Sequence, residues 1–150
     1  MIARSKPVWW AGVSLALMVV GAFGPWVKVL GLVTVNGTDG GGDGWIVIGA
    51  AAVAAVLLLI YAKTRRKWLL VLPTLAGLAG AATTAYDLTD ISRLSSGSLF
   101  GASETFSAQW GIYLALAASL SLTLAALMLM VRRGAAGPAT ETVAQIEGSA

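Results

Sequence analysis

The chain has 150 residues, 57% of them hydrophobic and 11% charged, and a mean hydropathy of +0.81; an average soluble domain carries about 25% charged residues. It contains neither cysteine nor histidine, which excludes disulfides, thiolate metal sites, a cysteine nucleophile, the commonest general base and the commonest zinc ligand. The basic residues behind the formal net charge of +3 sit mainly at the ends of apolar runs, and no basic face of the kind that binds nucleic acid is expected.

The first predicted element is a helix over the apolar run 8–24, preceded by Arg4 and Lys6. A basic start, an apolar stretch and the small residues of "GAFG" also fit a signal peptide. An uncleaved anchor is expected instead, because cleavage would leave three spans and remove Arg4 and Lys6 from the charge balance. Three further uncharged runs follow at 45–62, 68–86 and 110–131. A hydrocarbon core of ~30 Å takes about 20 helical residues, so length rather than periodicity makes each run a spanning helix.

Between the first two runs lies "WVKVLGLVTV", in which Val27 and Val29 flank Lys28, and Val33 and Val35 flank Thr34. This alternation predicts a short β hairpin turning near Leu30–Gly31, or a single strand, lying over the helix ends. A second turn is expected at Asn36–Gly37. The segment "NGTDGGGDGW" then offers Asp39 and Asp43 as candidate metal ligands. An EF-hand loop beginning at Asp39 has Gly41 at its third position and Ala50 at its twelfth, so the bidentate glutamate is missing. No Gly-Lys-Ser/Thr follows to make a phosphate loop. The expectation is a glycine joint, with Asp43 near the N-cap of the second helix, accepting free N–H groups.

The basic stretch "KTRRK" separates the second and third runs, and "YDLTDISRL" follows the third. There Asp87, Asp90 and Arg93 share one helical face and Leu88, Ile91 and Leu94 another, so the third helix is expected to continue beyond the membrane for a turn or two. Residues 97–103 read as a loop, and Phe100 and Phe106 are candidates to dock on the first loop or on a partner. The fourth run closes with Arg132 and Arg133, and 134–150 reads as a disordered cytoplasmic tail.

Arg4, Lys6, Lys63, Arg65, Arg66, Lys67, Arg132 and Arg133 fall on one side of this topology, and only Lys28 and Arg93 on the other. The positive-inside rule then places both termini in the cytoplasm and the protein in the inner membrane. Tryptophans mark both interfaces: Trp9, Trp10 and Trp68 at the inner one, Trp26, Trp45 and Trp110 at the outer. The two halves share this layout, as any two successive hairpins obeying the same rule would. Within the runs the polar groups are hydroxyls, including Ser14, Thr84, Ser119 and Thr123, which can bond to a carbonyl one turn back. Charged groups of the kind used for proton relays and ion coupling are missing there. Small residues at Gly77, Gly80 and Thr84 are expected to pack helices closely.

The run "PWVKVLGLVTVNGTDGGGDGWIVIG", with Pro25–Trp26, Gly37–Thr38–Asp39–Gly40 and Asp43–Gly44, resembles the first outer loop of a group of small bacterial four-span membrane proteins. The layout is also loosely similar to the claudin arrangement, without that family's loop cysteines. Neither resemblance implies an activity. The expected fold class is all-α integral membrane: a four-transmembrane-helix bundle over 1–133, with a short β hairpin or strand in its first outer loop. The expected function is non-enzymatic, needs no cofactor, and is that of an accessory or scaffold subunit contacting the lipid bilayer and recognising a membrane-protein partner, or a second copy of itself. Trp26, Val29, Leu32, Phe100 and Phe106 are the partner-contact candidates. The alternatives are a small holin-like oligomeric pore, or a lipid- or envelope-modifying enzyme using Asp87, Asp90 or Glu104 as acid or base.

Overall fold

The computed structural model describes residues 6–96 and 106–134; Arg4, Phe100, Glu104, the predicted 97–103 loop and all but the first residue of the predicted tail lie outside them. Within this range the protein is mainly helical. The elements are α1 (Lys6–Phe23), β1 (Pro25–Val29), β2 (Val33–Asn36), α2 (Gly44–Thr64), α3 (Val71–Ser96), β3 (Phe106–Ala108) and α4 (Trp110–Gly134). Three stretches, Gly44–Thr64, Lys67–Arg93 and Trp110–Val131, are long and apolar enough to cross a membrane, while the apolar part of α1, Pro7–Phe23, is shorter.

The helix ends follow from local chemistry. α1 stops where the Gly24 N–H donates to the Val20 and Gly21 carbonyls at 3.0 and 3.2 Å and Pro25, lacking an N–H, starts the first strand. α2 stops at Arg65, which adopts the left-handed conformation (φ 57°) while its N–H donates to the Tyr61 carbonyl. A 3₁₀ turn, Lys67–Leu70, then reverses the chain into α3. Pro73 sits in the first turn of α3, where its missing donor breaks no internal bond.

Each helix packs on its sequence neighbours and α1 closes onto α4, giving an up-down-up-down ring. The buried positions of α2 are Gly44, Val47, Ala51, Ala54, Leu58 and Tyr61. They alternate at three- and four-residue spacing, the seam of side chains that lets helices cross at about 20°. α4 buries Ile112, Ala115, Ser119, Leu122, Ala126 and Leu129 at the same spacing. Alanine, glycine and serine recur inside beside these larger side chains, whereas Val53, Val56, Leu59, Leu72, Leu75, Leu78, Leu120, Leu124 and Leu127 point outward.

Small residues let the backbones meet. A Cβ placed on Gly21 would stand 2.5 Å from the Ala115 amide nitrogen and 2.8 Å from its Cα, and one on Gly80 would stand 2.8 Å from Ser119 Oγ. One on Gly77 would come within 2.9 Å of the Ser119 carbonyl oxygen. Thr84, one turn beyond Gly80, is buried and donates its hydroxyl back to the Gly80 carbonyl at 2.8 Å. Ser119 and Thr123 likewise donate to the Ala115 and Ser119 carbonyls at 2.7 and 3.0 Å. Between α1 and α4, Trp10 Nε1 donates to Ser121 Oγ at 2.6 Å, and Ser14 Oγ donates to the same oxygen at 2.9 Å.

The three strands form one antiparallel sheet of order β2-β1-β3. The hairpin pairs Val27, Lys28 and Val29 with Val35, Thr34 and Val33. The third strand was not foreseen from the sequence; it pairs Ala108, Ser107 and Phe106 with the same three residues of β1.

Two glycine substitutions separate these effects. Gly21→Ala is expected to lower stability by about 1–3 kcal/mol, because the added methyl meets backbone that cannot rotate away. Gly12→Ala, at a position on the same helix where a Cβ meets nothing within 4 Å, is expected to be neutral or stabilising by up to about 1 kcal/mol through helix propensity. Thermal unfolding of both variants in detergent micelles checks the pair.

Candidate functional site

The features with chemical potential gather at the sheet end of the bundle. The hairpin is aimed by a bulge: β1 shifts register between Pro25 and Val27, so Trp26 is the extra residue and its side chain turns away from the ladder. Trp26 is 6% exposed and its Nε1 donates to the Gly21 carbonyl at 2.8 Å. Gly37 lies directly against the indole, where no Cβ would fit, and its N–H donates to the Gly24 carbonyl at 3.3 Å. One ring thus joins the end of α1, the sheet and the linker to α2. Trp26 is therefore a buried pin, where the sequence had placed it at a membrane interface and among the contact residues. The other five tryptophans, Trp9, Trp10, Trp45, Trp68 and Trp110, are exposed.

The remaining contact candidates separate in the same way. Val29 is half-buried in the central strand, opposite Val33 on one side and Phe106 on the other. Leu32 is 86% exposed. Phe106 is half-buried in β3. The hairpin tip adds Leu30, 64% exposed. Leu30 and Gly31 have φ of 53° and 70°, and the Leu32 N–H donates to the Val29 carbonyl at 3.1 Å. Two successive positive φ values make this a type I′ turn, a geometry favouring Asn-Gly. Leucine at the first position carries a left-handed penalty of ~1–2 kcal/mol and gains little burial in exchange. The composition of the run announced a hairpin but gave no sign of this conformation.

The linker from β2 to α2 folds on itself. Asp39 Oδ2 accepts the Asn36 N–H at 2.7 Å, a 3₁₀ turn spans Asp39–Gly41, and the Gly44 N–H donates to the Gly37 carbonyl at 2.9 Å. Asp43 occupies the N-cap position of α2 but makes no side-chain cap bond; its own backbone is already αR, which carries the carboxylate away from the free N–H groups. Its side chain instead lines a cleft that it shares with Asp87 of α3.

Asp87 and Asp90 stand on the polar extension of α3, past the apolar stretch that ends at Tyr86. They close one wall of a cleft of about 310 Å³. Trp26, Val27, Val35 and Asn36 line it from the sheet, and Asp39, Gly42 and Asp43 from the linker. Four carboxyls share this space. The Asp87 carboxyl is raised from 3.8 to about 6, first by partial burial, then by the neighbouring Asp43, and last by the charge of Asp90. Among the described residues no group of three or more acidic side chains is arranged to hold a metal ion.

Comparison with protein-family models, with characterised proteins and with solved structures returns no match. The site therefore stands on its own geometry.

Leu30→Asn relieves the strain at the tip and creates the Asn-Gly pair that the turn geometry prefers. It is expected to raise stability by about 1 kcal/mol, read as a higher midpoint in thermal or denaturant unfolding.

Proposed function

We propose that the chain is a non-enzymatic multi-pass membrane protein, an accessory or scaffold subunit that recognises a partner through the hairpin tip at its outer face. The outward-facing valine and leucine side chains of α2, α3 and α4 support the membrane reading. Soluble monomers rarely expose contiguous apolar patches beyond a few hundred Å², whereas lipid tails solvate such a surface. On this reading α1 is the fourth span, its apolar part lying at the short end of the crossing range. The basic residues at 63–67 put that end in the cytoplasm and the sheet outside.

The observation that carries the recognition reading is the tip itself. Leu30, Leu32 and Val33 are exposed together, and Leu30 is held in a conformation that a residue chosen for stability would avoid. Strain kept in an exposed apolar residue fits a surface maintained for contact. A second reading, an oligomeric pore, draws support from Gly12 and Gly49, glycines of α1 and α2 with nothing within 4 Å of a Cβ, where a second copy could approach closely.

A photoreactive residue at Leu32 tests both. A discrete foreign protein captured in native membranes is the expected product, and Leu30→Asn combined with Leu32→Ser should abolish it without lowering the unfolding midpoint. Capture of the chain's own copies alone would move the assignment to the pore and call for a conductance measurement. A monomer that captures nothing would sink the partner reading.

A further inference from the structure

The end of the bundle opposite the sheet carries a compact group of cations. Lys63, Arg65, Arg66 and Lys67 lie around the turn from α2 to α3, and all four are exposed. The turn is held from inside: Tyr61, Leu69 and Leu70 on either side of it are buried, and the Thr64 hydroxyl donates to the Ile60 carbonyl at 2.9 Å. The cations are therefore presented on a short, fixed piece of backbone and not along a loose tail. Among the described residues every carboxylate lies at the other end. Asp39 and Asp43 precede α2, and Asp87 and Asp90 stand on the last turns of α3.

Two features go beyond what the positive-inside rule asks of such a turn, since that rule counts charges and is indifferent to their setting. Arg65, the residue that follows α2, is left-handed (φ 57°, ψ 20°), a conformation in which glycine or asparagine is usual at a helix end. The charges also run straight into apolar surface. Trp68 is exposed directly after Lys67, and Leu59, Ile60, Val71 and Leu72 are exposed on the adjoining turns of α2 and α3. A ligand spanning this surface meets cations at one end and hydrocarbon at the other, so a free anion would use only half of it.

We propose that the α2–α3 turn is a binding site for an anionic phospholipid. Lys63, Arg65, Arg66 and Lys67 hold its phosphate headgroup, and its acyl chains lie along the apolar faces of α2 and α3. The site rests on the membrane reading and is independent of what the hairpin tip binds. Guanidinium groups donate to phosphate oxygens in pairs, while the ammonium groups act as point charges. The indole of Trp68 suits the headgroup level between them and the hydrocarbon. A zwitterionic lipid such as phosphatidylcholine carries its own cation and gains less from the cluster.

Carbonate washing of membranes that hold the full chain checks the membrane reading separately; release of the chain would overturn that reading and the lipid site with it. The purified chain in detergent micelles is then titrated with phosphatidylglycerol or phosphatidylcholine, and bound lipid is counted by native mass spectrometry. Phosphatidylglycerol is expected to bind more tightly. Replacing Lys63, Arg65, Arg66 and Lys67 together by glutamine should bring the two lipids level. Arg132→Gln with Arg133→Gln removes charge from the same end of the bundle and should leave the preference intact. Arg65→Gly suits the backbone and is expected to fold at least as stably as the parent, while losing about fivefold in phosphatidylglycerol affinity. Equal binding of the two lipids by the parent would overturn the site. So would an equal loss in the Arg132/Arg133 variant, which marks unspecific charge attraction, or displacement of the lipid by inorganic phosphate at the same concentration. Should the fourfold variant not fold, Arg65→Gly against the Arg132/Arg133 variant still decides.

Discussion

The close approach of α4 to α1 and α3 is the constraint on which the rest of this structure depends. Glycine at 21, 77, 80 and 111 puts backbone or short side chains in contact with the neighbouring helix or strand. Beside the buried Leu15, Met18, Ile112 and Leu122, these close approaches add many short-range dispersion contacts. The hydroxyls that bond one turn back along their own helices remove the polar penalty such proximity would otherwise carry.

The same approach builds the sheet end. Gly111 sits against the Pro25 carbonyl and Gly24, which brings the start of α4 to the start of β1. The Gln109 N–H donates to the Trp26 carbonyl at 2.9 Å, and β3, just before it, pairs with β1. Trp26 completes the joint by filling the space between α1, the sheet and Gly37. The hairpin is thus a rigid extension of the bundle, and its tip is presented at a set position and angle. A contact surface gains from this, because little conformational entropy remains to be lost on binding.

The sheet is pinned by Trp26 and paired on both sides of β1, and the glycine linker is tied to the same pin through Gly37. The hairpin and the acid-lined cleft share the 20 residues between Phe23, the end of α1, and Gly44, the start of α2, together with the end of α3.

Much of the architecture was legible in the sequence. Four uncharged runs, the breaks at Gly24–Pro25 and 63–67, the valine alternation of the hairpin and the helical spacing of Asp87, Asp90 and Arg93 are all local patterns, and local patterns determine elements. What faces what was not legible. In runs that are apolar all round, no polarity contrast marks the buried side; the small residues at Gly77, Gly80 and Thr84 announced close packing, but only the structure showed that Met18, Tyr61, Ile112 and Leu122 turn inward while other large side chains turn out. Asp43 read as a helix cap because its spacing from α2 was right, but its backbone conformation turned it into a cleft that Asp87 enters from more than forty residues away. The third strand is too short for its own periodicity to announce it, and Trp26 changed from a surface residue to a pin through one bulge. The sequence by itself determined which segments are helical and how they alternate; tertiary contact alone decided the faces, the acid-lined cleft and the strained tip, because each depends on distances between residues far apart in the chain.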